Sequence, residues 1–306
     1  MYRKGIGKNI KVIKRDWQLY ALLLLPVLYY IIFKYGPMLG NVIAFRKYVQ
    51  GGPWLGTEWV GLKYFKMFIT DAQFWAAFRN TIIISVTTLV ITFPIPIIFA
   101  LLLNELKSVK FKKVTQTISY LPHFLSVVVV ANMIYDFLSP TGGFVNQIVH
   151  FFTGSTIQFM QTSSYFVPIY VISVIWQETG WGAILYLAAL TNINTELYEA
   201  AEIDGANKWK QTLHVTIPGI MPTIAILFIL NLGSLLNVGF EKILLLYNPV
   251  IYDTSDVIST YLYRIAFNSN SFSYATAIGL FESVIGLALI IGANKLTRKF
   301  ADTSLW

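Results

Sequence analysis

Long runs of apolar residues recur along the whole chain, and short polar segments separate them. A helix needs about 20 residues to cross a hydrocarbon core roughly 30 Å thick. Six runs have about that length: 17–34, 81–103, 114–138, 166–190, 218–240 and 274–294. None carries the alternating pattern, about ten residues long, of a membrane β-strand. We therefore predict an all-α membrane protein, with one transmembrane domain over residues 1–306 and six transmembrane helices.

The composition narrows the class of protein further. Only 12% of the 306 residues are charged and 56% are apolar, whereas a soluble domain carries about 25% charged residues. Such a chain lacks the polar groups to cover a water-facing surface, which excludes an ordinary soluble enzyme, a disordered tail and a fibrous repeat. There is no cysteine, so disulfides, thiol catalysis and Cys-based metal sites are excluded too. We predict no cofactor and no bound metal.

The basic residues indicate how the chain is oriented, because cytoplasmic loops of membrane proteins carry an excess of Lys and Arg. Fifteen fall on one side of the predicted bundle: Arg3, Lys4, Lys8, Lys11, Lys14, Arg15, Lys107, Lys110, Lys112, Lys113, Lys208, Lys210, Lys295, Arg298 and Lys299. Seven fall on the other: Arg46, Lys47, Lys63, Lys66, Arg79, Lys242 and Arg264. We predict a multi-pass protein of the cell membrane with both termini cytoplasmic. The net charge of +8 lies at the ends of apolar runs and does not indicate nucleic acid binding.

One predicted cytoplasmic loop, 191–217, differs from the other short and basic ones. Glu196, Glu199 and Glu202 recur at a helical spacing of three, and Gly205 then interrupts the pattern. We predict two short helices bent at Gly205 and lying outside the bilayer. A solvated acidic loop or an interfacial helix is the alternative. An interfacial helix would be basic on its polar face, so the acidic start favours a docking surface for another protein.

This loop resembles the EAA loop of binding-protein-dependent ABC importer permeases. The resemblance rests on Glu199, Ala200, Ala201, Asp204, Gly205, Ala206 and Pro218, which stand at the spacing of that motif. Outside the loop, the chain is similar to oligosaccharide permeases of the carbohydrate-uptake branch at Arg79-Asn80-Thr81, Gly143-x-Val145-Asn146, Leu246-Tyr247-Asn248-Pro249, Thr260-Tyr261 and Ser304-Leu305-Trp306. It departs from the family at Thr212, where an aromatic residue is usual.

The resemblance implies a role and a set of partners. In this family the EAA loop is a coupling helix that sits in a groove of a cytoplasmic ATPase subunit, and ATP-driven closure moves the attached helices. It implies a non-catalytic permease subunit that forms half of a pathway for an oligosaccharide or related glycoside. The implied partners are a second, different permease subunit, an ATPase dimer, an extracellular solute-binding protein and the saccharide. The chain has no G-x-x-x-x-G-K-[ST] loop of its own for ATP.

Polar side chains within the apolar runs are the candidates for the pathway, because such groups are costly in a membrane and usually face a cavity or the bundle interior. The polar candidates are Asn132, Asp136, Gln177, Glu178, Asn231 and Asn237, and Trp181 is a candidate because its ring offers an apolar face for stacking. The alternative is that each simply bridges neighbouring helices, which contributes about 0.6 kcal/mol and up to roughly 2. The three histidines, His123, His150 and His214, are far apart in sequence and predict neither a metal site nor an acid–base pair.

Two other classes of function are weighed against the importer. A stand-alone secondary transporter or channel would leave the acidic loop without a role, and the sequence has no visible inverted repeat. A membrane-embedded enzyme would need clustered carboxylates or histidines in its loops, which the sequence lacks. Both are weaker than the importer interpretation.

Overall fold

The computed structural model describes residues 15–301 of the chain. Within this range the backbone is helical and forms no strand, apart from an isolated bridge between Arg46 and Trp59. The predictions that concern the basic residues of segment 1–14 and the Ser304-Leu305-Trp306 motif fall outside the described residues.

The helices are labelled in chain order. The first half contains α1 (Trp17–Phe45), α2 (Lys63–Ile69), α3 (Ala72–Thr92), α4 (Pro94–Glu105), α5 (Val109–Tyr120), α6 (Val127–Leu138) and α7 (Phe144–Thr153). The second half contains α8 (Ser163–Thr191), α9 (Thr195–Ile203), α10 (Lys208–Gly233), α11 (Phe240–Leu246), α12 (Tyr252–Ser255), α13 (Ile258–Tyr263) and α14 (Phe272–Ala301).

Four helices in the described part are long and apolar enough to cross a membrane: α1, the continuous α3–α4 pair, α10 and α14. The bent pair made by residues 109–124 and α6 would be a fifth. Helix α8 covers the predicted fourth run and has 29 residues, which is about 43 Å at 1.5 Å per residue. It contains the polar pair Gln177-Glu178 and is less apolar than these four helices. The class of all-α membrane protein is confirmed, and the count of six spans stays a prediction.

The third apolar run, 114–138, is not one straight helix as predicted. Helix α5 passes into a tight turn over Leu121–Phe124, and α6 then leaves at an angle of 98°. Pro122 lies in this turn, where its missing N–H cannot continue the helical ladder. Ser126 then adopts an extended conformation, and its Oγ accepts a 3.3 Å hydrogen bond from the Val129 N–H at the start of α6.

The helix that contains the fifth apolar run, 218–240, begins before the run and ends before it does. Helix α10 begins at Lys208, well before Pro218, so the second half of the 191–217 loop is the start of this helix and not a separate one. At its other end α10 stops at Gly233, and turns lead to Gly239. A Cβ on Gly239 would lie 2.6 Å from the Tyr170 hydroxyl, so this position needs a glycine.

The described part of the chain divides into two compact units, residues 15–68 with 265–280, and residues 69–264 with 281–301. In the first unit, Phe45 stacks on Trp59, and the Tyr48 N–H donates to Ser273 Oγ at 3.0 Å. In the second unit, α8 is the central element and packs against α3, α4, α5 and α10. Gly180 permits the contact with α5, because a Cβ there would overlap the backbone of Ser119.

Candidate functional site

The segment between α8 and α10 forms a helix with a bend at Gly205, where the sequence predicts one. Asn194 begins α9, because its Oδ1 accepts a 3.0 Å hydrogen bond from the Glu196 N–H. At the other end Gly205 has φ +76°, in the left-handed region that favours glycine. The Ala206 N–H then donates to the Ala201 carbonyl at 2.9 Å, which satisfies one of the last carbonyls of the helix.

The motif residues of this segment face outward to different degrees. Glu199, Ala200, Asp204, Gly205 and Pro218 are exposed, whereas Ala201 and Ala206 are half-buried. Three apolar side chains are exposed beside them: Ile203 by 87%, Trp209 by 70% and Leu197 by 53%. Exposed apolar side chains beside acidic ones are typical of a surface that binds another protein. We call residues 195–210 the docking segment.

Hydrogen bonds fix the docking segment to the start of α10. The Tyr198 hydroxyl and Thr216 Oγ1 lie 3.0 Å apart, and Gln211 Nε2 donates to the Ala206 carbonyl at 3.0 Å. Asn207 caps α10 by accepting from the Lys210 N–H at 2.9 Å. Helix α10 then continues to Gly233 without a gap. Sequence reasoning did not single out these anchoring residues, although Asn before a helical run is a recognisable cap.

A cavity of about 330 Å³ lies between α3, α4, α8 and α10. Three of the predicted pathway residues line it together: Glu178, Trp181 and Asn231. Glu178 and Asn231 are 53 positions apart in the sequence. Thr92 and Tyr186 add further hydroxyl groups to the lining. We call this space the inner cavity.

A histidine that the sequence analysis set aside contacts this site. His123, in the turn after α5, places Nδ1 2.9 Å from Glu178 Oε2. Its ring also stacks on Trp181 at 4.4 Å between centroids and 3° between planes. The sequence analysis compared the histidines only with one another and did not include this contact. The two residues are 55 positions apart, and His123 lies in the turn that contains Pro122.

Gln177 occupies a different environment from its neighbour Glu178. It is buried, its Nε2 donates to the Leu125 carbonyl at 3.3 Å, and its Oε1 accepts from Lys242 Nζ at 2.8 Å. This geometry fits the alternative of interhelical bridging. Lys242 itself, predicted as a loop charge, is buried in the second unit and 7% exposed. One of the seven basic residues that the sequence analysis assigned to the outer loops is therefore buried in the protein.

The remaining candidates lie in three separate places. Asn132 is exposed on α6, and Asn237 is exposed in the turns that follow α10. Asp136 lines a second cavity, near the end of α6. Asn231 donates through Nδ2 to the Leu227 carbonyl of its own helix at 2.8 Å, which holds its side chain in place at the inner cavity. Within the described residues, no group of three or more His, Asp or Glu side chains could hold a metal ion.

A helical membrane protein with a cavity between its helices and an exposed docking segment has the features of a transport subunit. The chain belongs to the family of binding-protein-dependent transport system inner membrane components, whose model matches residues 92–302. It is a membrane-embedded, non-catalytic permease subunit of an ABC importer, and separate subunits hydrolyse ATP. The resemblance found in the sequence is thereby confirmed.

Two curated relatives from Bacillus subtilis (strain 168) match nearly the whole chain. The polygalacturonan/rhamnogalacturonan transport system permease protein YteP is 41% identical over 97% of this chain and 92% of its own length. Protein LplB is 42% identical over 98% of this chain and 95% of its own. A solved bacterial ABC transporter involved in the import of the acidic polysaccharide alginate contains a chain 42% identical, with a TM-score of 0.89, covering 96% of this chain and 99% of that one.

Proposed function

We propose that this permease forms half of the translocation pathway for a saccharide, and that the inner cavity is part of that pathway. The observation that carries the proposal is the meeting of Glu178, Trp181 and Asn231 at one cavity. The names of similar proteins support the substrate class, since YteP, an arabinooligosaccharide permease of Bacillus subtilis and the alginate importer all concern saccharides.

The chemistry of the inner cavity suits a sugar. The Glu178 carboxylate accepts hydrogen bonds from hydroxyl groups, and the Asn231 carbonyl oxygen does the same. Trp181 stays 44% exposed while His123 stacks on it. Its indole therefore offers apolar surface to the C–H groups of a sugar ring, as aromatic side chains do in many binding sites. His123 positions both Glu178 and Trp181 through the contacts described above.

The permease is proposed to be a single domain over residues 1–306 with six spans and cytoplasmic termini. Helix α8 and the bent pair of 109–124 with α6 would supply the two spans beyond the four apolar helices. This arrangement places the 104–113 and 191–217 loops in the cytoplasm and the 139–165 loop outside. It follows the excess of Lys and Arg on the cytoplasmic side. The excess remains when the buried Lys242 is left out of the outer loops.

The docking segment is proposed to couple ATP hydrolysis to transport. Glu199, Ala200, Ala201, Asp204, Gly205 and Ala206 would sit in a groove of an ATPase subunit, with Pro218 in the helix that follows. The exposed Ile203 and Trp209 supply apolar contact area, and Glu199 pairs with a basic residue of the partner. The hydrogen bonds to Gln211 and Thr216 make the segment and α10 move together. The full complex would contain a second, different permease, an ATPase dimer and an extracellular solute-binding protein.

The test compares two tryptophans of the same helix in proteoliposomes that contain the permease with its partner subunits. Trp181 and Trp176 are 44% and 45% exposed, but Trp176 lines a separate apolar cavity beside α6. Uptake is measured with a panel of neutral and uronate-containing oligosaccharides. Trp181→Leu should lose most of the uptake of the transported member, whereas Trp176→Leu should keep most of it. Equal uptake by wild type and Trp181→Leu, or uptake of no saccharide by the wild type, would refute the proposal.

A further inference from the structure

A second cavity, of about 590 Å³, lies apart from the inner cavity. The end of α6, the turn Phe159–Gln161 and the segment 248–250 form its walls. Its volume falls within the range of about 300–1,000 Å³ that is usual for small-molecule sites. We call it the outer cavity, because it borders the 139–165 loop that the charge distribution places outside.

Three polar side chains of the outer cavity are available to a ligand. Asp136, Gln158 and Gln161 line it and are exposed, and within the described residues their side chains form no hydrogen bond to the protein. Because these groups are exposed, water solvates them in the free protein, and the hydroxyl groups of a ligand can take the place of that water.

The walls that carry these groups are held firmly. Asn248 Nδ2 donates to the Met160 carbonyl at 2.8 Å, and its Oδ1 accepts from the Val250 N–H at 3.0 Å. The Tyr135 hydroxyl donates to the Leu246 carbonyl at 3.2 Å. The cavity is therefore preorganised, which lowers the entropy lost when a ligand binds.

We propose that the outer cavity is an entry subsite that binds an uncharged sugar ring of the saccharide before it reaches the inner cavity. This inference rests on the proposed function. The Asp136 carboxylate accepts hydrogen bonds from sugar hydroxyls, and the two glutamine amides both donate and accept. Tyr135 and Phe159 offer ring surface. Among the described residues that line the cavity, Asp136 alone is charged, so a uronate carboxylate would meet a like charge and a neutral ring is favoured.

Hydrogen bonds connect the wall of the outer cavity to residues next to the inner cavity. Tyr135 contacts the end of α11 at Leu246, and α11 carries Lys242, which binds Gln177 next to Glu178. Helix α11 therefore connects Tyr135 of the outer cavity to Gln177, the neighbour of Glu178, without lining either cavity.

The absence of cysteine in the sequence makes a direct test possible. Gln161→Cys is introduced into the complex in nanodiscs, and the rate of labelling by a membrane-impermeant thiol reagent is measured. The saccharide is the panel member that the wild-type proteoliposomes take up fastest, added without binding protein. Labelling should slow several-fold with saccharide, and Gln50→Cys, an exposed loop position that does not line this cavity, should be unaffected.

Three outcomes overturn the subsite while leaving the proposed function intact. The first is uptake by the wild type with no protection of Gln161→Cys by any transported saccharide. The second is protection by saccharide-free binding protein, which would make the cavity a protein contact. The third is uptake or protection by uronate members alone, which contradicts the uncharged ring. If the wild type takes up no saccharide, the proposed function itself is refuted.

A kinetic measurement separates this subsite from the inner cavity. Asp136→Asn should raise the saccharide concentration for half-maximal uptake several-fold and keep the maximal rate, because it weakens entry. Glu178→Gln should lower the maximal rate, because it acts within the pathway. Asp136→Asn should also improve the uptake of a uronate-containing oligosaccharide relative to a neutral one. An Asp136→Asn permease with unchanged concentration dependence would contradict the subsite.

Discussion

His123 contacts two residues of the inner cavity, Glu178 and Trp181. The ring nitrogen holds the carboxylate at 2.9 Å, and the ring face holds the indole at 4.4 Å. Aromatic stacking of this kind contributes about 0.5–1.5 kcal/mol beyond burial of area. A single residue from another helix thus fixes the position of two residues that line the inner cavity.

The residue-scale prediction concerns His123→Ala. Removing the ring frees Glu178 and Trp181 to adopt other rotamers, so uptake should fall about tenfold while assembly with the ATPase persists. His150→Ala, on α7 and lining a different cavity, is the control and should transport normally. Uptake in proteoliposomes measures both variants. Wild-type uptake by His123→Ala would show that the contact does not position the cavity residues.

A second prediction at this scale concerns the docking segment. Glu199→Lys reverses an exposed charge, and Gly205→Val puts a branched side chain at φ +76°, where it is strained by roughly 1–3 kcal/mol. Both should weaken co-purification of the ATPase or abolish substrate-stimulated ATP hydrolysis, with membrane expression near wild type. Glu58→Lys, an exposed carboxylate in a predicted outer loop, should change neither. Full ATPase association and full uptake in both variants would exclude a coupling role for the segment.

Local patterns made some residues predictable and left others hidden. The helix over 195–203 and the bend at Gly205 follow from spacing within a dozen residues, so the sequence contains the signal. Glu178 and Asn231 could be proposed singly from their polarity in apolar runs, and Trp181 from its aromatic ring. Their shared cavity depends on how α8 and α10 pack. His123 and Lys242 could not be placed, because their partners lie 55 and 65 positions away.

At the scale of elements, the close contact between α8 and α5 depends on Gly180. A Cβ at this position would overlap the Ser119 backbone, which cannot move without displacing α5. Gly180→Ala should therefore destabilise the protein by about 1–3 kcal/mol, the usual cost of overpacking. Gly292→Ala, in α14, meets no atom within 4 Å and should have little effect. Thermal unfolding of the purified complex in detergent measures both, and an equal midpoint for the two variants would contradict the packing argument.

The attachment of α11 to α8 gives a second prediction for the elements. Lys242→Met leaves the buried Gln177 amide oxygen without its 2.8 Å partner, which costs about 1–3 kcal/mol. Adding Gln177→Leu removes the unsatisfied group as well, so the double variant should be less destabilised than the sum of the single ones. Strictly additive changes in the unfolding midpoint would indicate that the two side chains do not interact.

The helices differ from those predicted from the sequence where the effect of a proline depends on the residues around it. Prolines in apolar runs are tolerated in membrane bundles, so the run 114–138 gave no warning of its 98° bend. The same tolerance is correct for Pro218 and Pro222, which lie inside α10 without interrupting it. After Pro122, Ser126 is extended and caps a new helix, whereas the helix continues past Pro218 and Pro222.

At the scale of the whole molecule, membrane orientation and energy supply are linked. ATP is inside the cell, so the docking segment can couple only if the 191–217 loop is cytoplasmic. Reporter fusions in loops 104–113 and 191–217 should report a cytoplasmic position, and one in 139–165 an external position. The same topology puts the outer cavity on the side from which the saccharide arrives and the docking segment on the side of the ATPase. An external reporter in 191–217 would separate the docking segment from ATP and remove the basis for its coupling role.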